Sequence, residues 1–221
     1  MKVHFRVEGV LPIGVLRGRE WISGFGGCKL TQEKMMRFQF NVDKAIAATA
    51  YVIQKGGGKF DVFALIKTLY VANRIALIKY GRSITGDKLA SLDKGPVVSD
   101  TYHLIQKSSR AKREHQLKWD QFISERQSHV LRVLKTPDFG YLSVRERAIL
   151  DEAFKTISEI PPHLLSSWTH DHCPEWKDPK GSSTAIDPAE ILKIESKSGA
   201  EIAEIKEEVE SLNALDALLS R

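Results

Sequence analysis

Asp61-Val62-Phe63-Ala64-Leu65-Ile66-Lys67-Thr68-Leu69-Tyr70-Val71-Ala72-Asn73-Arg74-Ile75-Ala76-Leu77-Ile78-Lys79-Tyr80-Gly81 decides the fold. Phe63, Ile66, Tyr70, Asn73 and Leu77 recur at three- and four-residue steps, the spacing of one helical face. The other faces are also apolar, through Ala64, Leu65, Leu69, Val71, Ala72, Ile75 and Ile78. A helix that is apolar almost all round is buried. This one is therefore predicted to be the central helix of a core, with Lys67, Arg74 and Lys79 on its solvated side. Asp61 starts it and Gly81 ends it as a C′ glycine.

Upstream, Val42, Ala45, Ile46, Thr49, Val52 and Ile53 predict a helix from Asn41 that stops at Gly56-Gly57-Gly58. Downstream, Ser83 to Lys94 reads as loop with a turn at Gly86. Gly95-Pro96 marks a break, with proline at the first position of a helix expected from about Pro96 to Ser108. Arg110 to Lys118 is a polar, basic surface loop. The alternation of Trp119, Gln121 and Ile123, and then of Val130 to Leu134, predicts a β-hairpin that must pack on the helices. Ser143-Val144-Arg145-Glu146 is a capping box and opens a helix whose buried stripe is Ile149, Leu150, Ala153, Phe154 and Ile157. Pro161-Pro162 closes that helix and leads into a short one through Leu164, Leu165 and Trp168. Glu175 to Ser183 is loop. Asp187-Pro188-Ala189-Glu190 and Ser198-Gly199-Ala200-Glu201 then cap two last helices, the second long, acidic and amphipathic.

Residues 1–35 pattern poorly: Val3, Phe5 and Val7 suit a short strand, and Gly24, Gly26 and Gly27 break any regular structure after it. They are expected to be an extension, with the working protein starting near Met36. The expected class is mainly α: a compact helical domain over residues 36–180 with a small antiparallel hairpin, and an acidic helical extension over 181–221 packed on it.

The 221 residues carry a net charge of +5, unevenly spread. Residues 36–135 hold 18 Lys/Arg against eight acids; residues 136–221 hold nine against 17. A basic body with an acidic tail favours encounter with an acidic protein or nucleic acid, unless the two halves neutralise each other. The longest apolar runs fall far short of the ~20 residues a bilayer span needs. Two cysteines, Cys28 and Cys173, make no disulfide framework. A reduced, cytoplasmic protein with no membrane role is expected.

Catalytic constellations fail on spacing. Gly56-Gly57-Gly58-Lys59 and Tyr80-Gly81-Arg82-Ser83-Ile84-Thr85-Gly86-Asp87 lack the glycine and lysine spacing of a phosphate loop. Thr169-His170-Asp171-His172-Cys173 holds zinc-type ligands, but a closed site pairs two clusters and no second one exists. His170 is expected to be structural, beneath Trp168 or Trp176. Tyr70 and Tyr80 among Lys67, Arg74 and Arg82 could stack and hold nucleic acid, but helical spacing places Tyr70 in the core.

The order Lys67-Thr68-Leu69-Tyr70-Val71-Ala72-Asn73-Arg74, Tyr80 to Asp87, then Gly95-Pro96-Val97 resembles the opening half of the Panacea antitoxin domain of the SocA-like, phage-associated group. Leu142-Ser143, the helix after it, and Leu165 with Thr169-His170 and Trp176 resemble its second half. The likeness runs from about Asn41 to Trp176. Asn73 stands where the family often has an acid, and Leu89 where an aromatic is frequent. The resemblance implies a non-enzymatic antitoxin that binds a cognate toxin, with no cofactor. A related member acts as an adaptor to a protease; binding of nucleic acid is a further alternative. The expected partner contacts are Tyr80, Arg82, Thr85, Asp87, Lys67 and Arg74, aided by the acidic last helix. Tyr70, Gly95, Pro96, Thr169, His170 and Trp176 are expected to be scaffold.

Overall fold

The computed structural model describes residues 35–219, and the expectations for residues 1–34 lie outside them. The elements in chain order are α1 (Val42–Lys55), β1 (Lys59–Asp61), α2 (Val62–Tyr80), β2 (Leu89–Leu92), β3 (Gly95–Val98), α3 (Ser99–Ile105), α4 (Arg113–Trp119), β4 (Val130–Arg132), α5 (Val144–Ser158), α6 (Leu165–His172), β5 (Thr184–Ile186), α7 (Pro188–Ile194) and α8 (Gly199–Leu219). Short 3-10 turns at Phe139–Tyr141 and Pro162–Leu164 precede α5 and α6. The class is mainly α with two small antiparallel sheets.

α2 is the axis. α5, α1, β3, α6 and α7 all pack on it, and Leu65, Leu69, Tyr70 and Ala72 are almost wholly shielded from water. Burial of each large apolar side chain contributes roughly 1.5–3 kcal/mol, so this helix organises the rest. Its ends follow local chemistry. The Asp61 carboxylate accepts from Ala64 N at 2.9 Å. Gly81 takes φ 65°, and its N–H reaches Leu77 O at 2.8 Å. Asn41 caps α1 by accepting from Lys44 N at 3.0 Å. The capping box of α5 is complete: Glu146 N donates to Ser143 Oγ and Ser143 N to Glu146 Oε2. The same exchange joins Ser198 and Glu201 at α8. Ile202 and Val209 bury the inner face of α8.

Four local expectations are corrected. Pro96 does not open a helix; it lies in β3, which pairs with β2 through Leu89↔Val98 and Leu92↔Gly95, while β5 takes the other edge of β2. β3 is an edge strand, where a residue without an N–H is tolerated. The expected helix from Pro96 to Ser108 shrinks to α3, and the stretch from Ser83 to Lys94 contains β2. Arg110 to Lys118 is mostly helix α4, which buries only Trp119. The hairpin expected over Trp119–Leu134 is reduced to an irregular ribbon, bridged at Ile123↔Val133 and at Gln127↔Val130. Its regular part, β4, pairs instead with β1, Phe60 opposite Leu131.

Candidate functional site

The loop between α2 and β2 is held from inside by one amide. Asn73, 2% exposed on α2, accepts through Oδ1 from Ser83 Oγ (2.7 Å), Ile84 N (3.0 Å), Thr85 N (3.2 Å) and Thr85 Oγ1 (3.2 Å). Its Nδ2 donates to Leu69 O at 2.9 Å. Where the resemblance implies an acid, an amide oxygen thus serves as the acceptor for the loop. Asp87 anchors the far side: Thr101 N donates to it at 2.9 Å and Thr101 Oγ1 at 2.6 Å, and the one proton of Thr85 Oγ1, 3.0 Å away, is shared between Asp87 and Asn73. Burial pushes the Asp87 carboxyl up to about 7, against the pull of those hydrogen bonds. At Gly86, φ is 68° and an added Cβ would lie 1.9 Å from Gln39 O, so only glycine fits that turn.

Tyr80 and Arg82 remain outside this bonded interior. Tyr80 is 47% exposed, with the Arg145 guanidinium 5.6 Å from its ring centre. The Arg82 side chain is 52% exposed and pairs with Glu208 of α8. Both line a cleft of about 400 Å³ together with Lys44, Ser143 and Ile149. Of the six expected contacts, the structure presents these two at the surface. It buries Thr85, Asp87 and Lys67, and leaves Arg74 only 13% exposed.

A second cluster fixes α2 to the segment after α6. Tyr70 donates to Glu175 Oε1 at 2.6 Å, and Arg74 Nε donates to the same oxygen at 2.9 Å. Arg74 also reaches Glu195 at 2.6 Å. Burial, reinforced by the Glu175 charge, holds the Tyr70 phenol well above its usual value. Burial opposes the charge on Arg74, but its hydrogen bonds to Glu175 outweigh this and hold the guanidinium above its ordinary value. The neighbouring Cys173 thiol is pushed up to about 12 by burial, the reverse of what a reactive thiolate needs. Glu175 carried no sequence signal beyond lying in a loop; its partners Tyr70 and Arg74 lie 105 and 101 residues earlier in the chain.

Lys67 does not lie on a solvated face. It is 1% exposed, donates to Pro96 O at 2.9 Å and lies 5.1 Å from the Phe63 ring centre. Burial lowers its ammonium to about 7. Gly95, at φ 100°, makes room for it: an added Cβ would lie 2.8 Å from Lys67 Nζ and 2.4 Å from Thr169 Oγ1. His170 stacks on Trp176 with ring centres 3.6 Å apart, and Trp176 Nε1 donates to Leu92 O at 2.8 Å. His172 instead stacks on Trp168. His170, His172 and Cys173 therefore point three ways. Among the described residues no group of three or more His, Cys, Asp or Glu side chains could hold a metal.

Five cations of residues 36–135 pair with acids of residues 136–221. Lys44 pairs with Glu146, Lys55 with Asp151, Arg74 with Glu175 and Glu195, Lys79 with Glu152, and Arg82 with Glu208. Each joins the basic body to the acidic remainder. No described helix is long and apolar enough to cross a membrane.

The fold is an internally bonded helical scaffold with two exposed side chains, Tyr80 at the end of α2 and Arg82 just after it. Comparison with known families gives its kind: the SocA-like antitoxin Panacea domain matches residues 65–177, just over half of the chain. The chain belongs to the SocA-like Panacea antitoxin family, and membership suggests a non-enzymatic antitoxin role. The match opens inside α2 and closes just after Trp176. No curated protein and no solved structure matches the chain.

Proposed function

We propose that this chain is an antitoxin that silences a cognate toxin by binding it directly, protein against protein, and that it transforms no substrate itself. The observation that carries this reading is the contrast between the inside and the outside of the junction of α2 with the loop that follows it. Asn73, Thr85 and Asp87 lock the loop from beneath, while Tyr80 and Arg82 stand exposed above it. Tyrosine and arginine are the side chains that most often dominate binding energy, and a preformed loop avoids the cost of ordering it on contact. The Arg82–Glu208 pair is solvent-exposed, so exchanging it for a carboxylate of the partner costs at most about 1 kcal/mol. On α8, Leu212, Leu215 and Leu218 stand exposed among Glu208, Glu210 and Asp216, which suits a helix laid against a basic, apolar groove of the toxin.

In this reading Arg74 and Lys67 act from within the fold. The antitoxin domain spans residues 36–180, and 181–221 is its acidic helical extension. The site of action is the cytoplasm, where the toxin is made. The test is co-expression with the small reading frame adjacent to this one: wild type restores growth, and Tyr80→Ala combined with Arg82→Ala does not. Full rescue by a normally folded double variant would remove that loop from the interface.

A further inference from the structure

α8 carries six acids against one lysine, Lys206, and lies on the loop that follows α2. Its hold on the body is uneven. Ile202 belongs to the core. Beyond it, Ile205 sits over Gly81, where an added Cβ would come within 2.9 Å of its Cγ1, and Val209 is buried. Glu208 pairs with Arg82, and Asn213 Nδ2 donates to Arg37 O at 2.8 Å. A cleft of about 250 Å³ stays open between this half of the helix and the loop, with Ser83 and Ile84 on one wall and Val209 and Leu212 on the other. Protein interiors leave few voids larger than a water molecule, so α8 rests on the loop without closing onto it.

The face under α8 is continuous with the cleft beside Tyr80: Lys44, Arg82, Ser83 and Ile84 line both. Lys44 is answered by Glu146 at 2.6 Å, which leaves Arg82 to meet whatever covers the face. α8 shows what is accepted there. Ile205, Val209 and Leu212 turn toward the loop, and Glu208 sets its carboxylate against Arg82. Apolar residues at i, i+4 and i+7 are the anchors of a helix laid in a groove. The tether from α7 is short, residues 195–198, so α8 occupies the face at an effective concentration on the order of millimolar.

We propose that α8 is a built-in competitor: the face it covers is a docking surface for an acidic amphipathic helix of the partner protein, which takes the place of α8 with a carboxylate on Arg82 and apolar side chains over Gly81 and Ile84. The occupant is argued from the segment now seated there, which has that chemistry. A basic helix would set like charge against Arg82. The inference rests on the protein-binding reading in one respect, that the outside occupant belongs to a protein.

The test uses the full chain and a fluorescein-labelled peptide of residues 198–218, with binding read by anisotropy. Val209→Asp unseats the chain's own α8. Glu208→Arg, at an exposed position, loosens it by repulsion from Arg82. The peptide is expected to bind the Val209→Asp chain ~10-fold or more tightly than wild type, and the Glu208→Arg chain up to about fivefold more tightly. Adding Arg82→Glu to the Val209→Asp chain should weaken the peptide by about fivefold, and a peptide carrying Glu208→Arg should recover that loss. Equal binding by wild type and both variants, no binding to any of them, or indifference to the charge exchange at Arg82 overturns the proposal. So does light scattering that finds wild type dimeric and Val209→Asp monomeric, which would seat a second copy on this face. No toxin enters the measurement, so its failure leaves the growth-rescue test of the antitoxin reading standing.

Discussion

Replacing Asn73 by alanine removes the acceptor that four donors of the 83–85 loop share. The cost depends on which donors can find another partner. The hydroxyls of Ser83 and Thr85 can rotate, and Thr85 Oγ1 already reaches Asp87 at 3.0 Å. The amides of Ile84 and Thr85 cannot; they are buried and would lose their acceptor. Each orphaned buried amide costs about 1–3 kcal/mol, so Asn73→Ala should destabilise by roughly 2–6 kcal/mol, a large part of the 5–15 kcal/mol typical of a domain. Asn73→Asp keeps the acceptor, but its second oxygen faces Leu69 O, where only a protonated carboxyl donates as the amide does. Four donors favour a carboxylate there, so its cost should be less than half as large. Urea unfolding followed by circular dichroism measures both, with an unchanged denaturant slope as the check on two-state behaviour. If Asn73→Ala stays within about 0.5 kcal/mol of wild type, the loop does not depend on that amide and the account of its rigidity is wrong.

Gly95→Ala meets both a positive φ and the Thr169 and Lys67 side chains, and should lower stability by about 2–4 kcal/mol; a thermal midpoint close to wild type would show that β3 can shift aside. Lys67 gives a pH signature. Its folded value, about 7, lies below the ordinary lysine value of 10.5, so between those limits the unfolded chain holds a proton that the folded chain has released. Stability should therefore rise with pH from 7 to 9, at up to about 1.4 kcal/mol per unit, while Lys67→Met should be flat across that window. Above pH 9 the raised Cys173 thiol acts in the opposite sense, so urea melts at pH 7, 8 and 9 are the informative ones, and an unchanged slope in Lys67→Met would assign the effect elsewhere.

The parts of the fold legible in the sequence are those written in local chemistry. Asn41, Asp61, Gly81, Ser143 and Ser198 each act on backbone within four residues, and each marks a helix end where expected. What eluded reading depends on distant partners. β4 pairs with β1, some seventy residues earlier. The β2–β3 hairpin hid behind Gly95-Pro96, a pair that equally suits a helix start, because nothing local says that β3 is an edge. α4 buries one side chain in seven, too few to leave a periodic signal. At the candidate site, Tyr80 and Arg82 were legible as the residues flanking the helix stop at Gly81. Lys67 was not, since lysine is rarely buried and its acceptor is a carbonyl 29 residues away. Glu175 was likewise invisible. An asparagine within an apolar helix was the one available cue to the interior of the loop, because its side chain competes with helical backbone bonds unless it has partners elsewhere.

The central claim is inhibition by direct contact, and purified components test it most directly. This protein and a candidate toxin, the product of whichever small reading frame neighbours its own, are mixed at equal concentration with no other protein present, and complex formation and toxin activity are read together. The account predicts a stable complex in which the toxin is inert and remains intact. A toxin that stays fully active beside a saturating excess of folded antitoxin, and is silenced only when a protease is supplied, would contradict it.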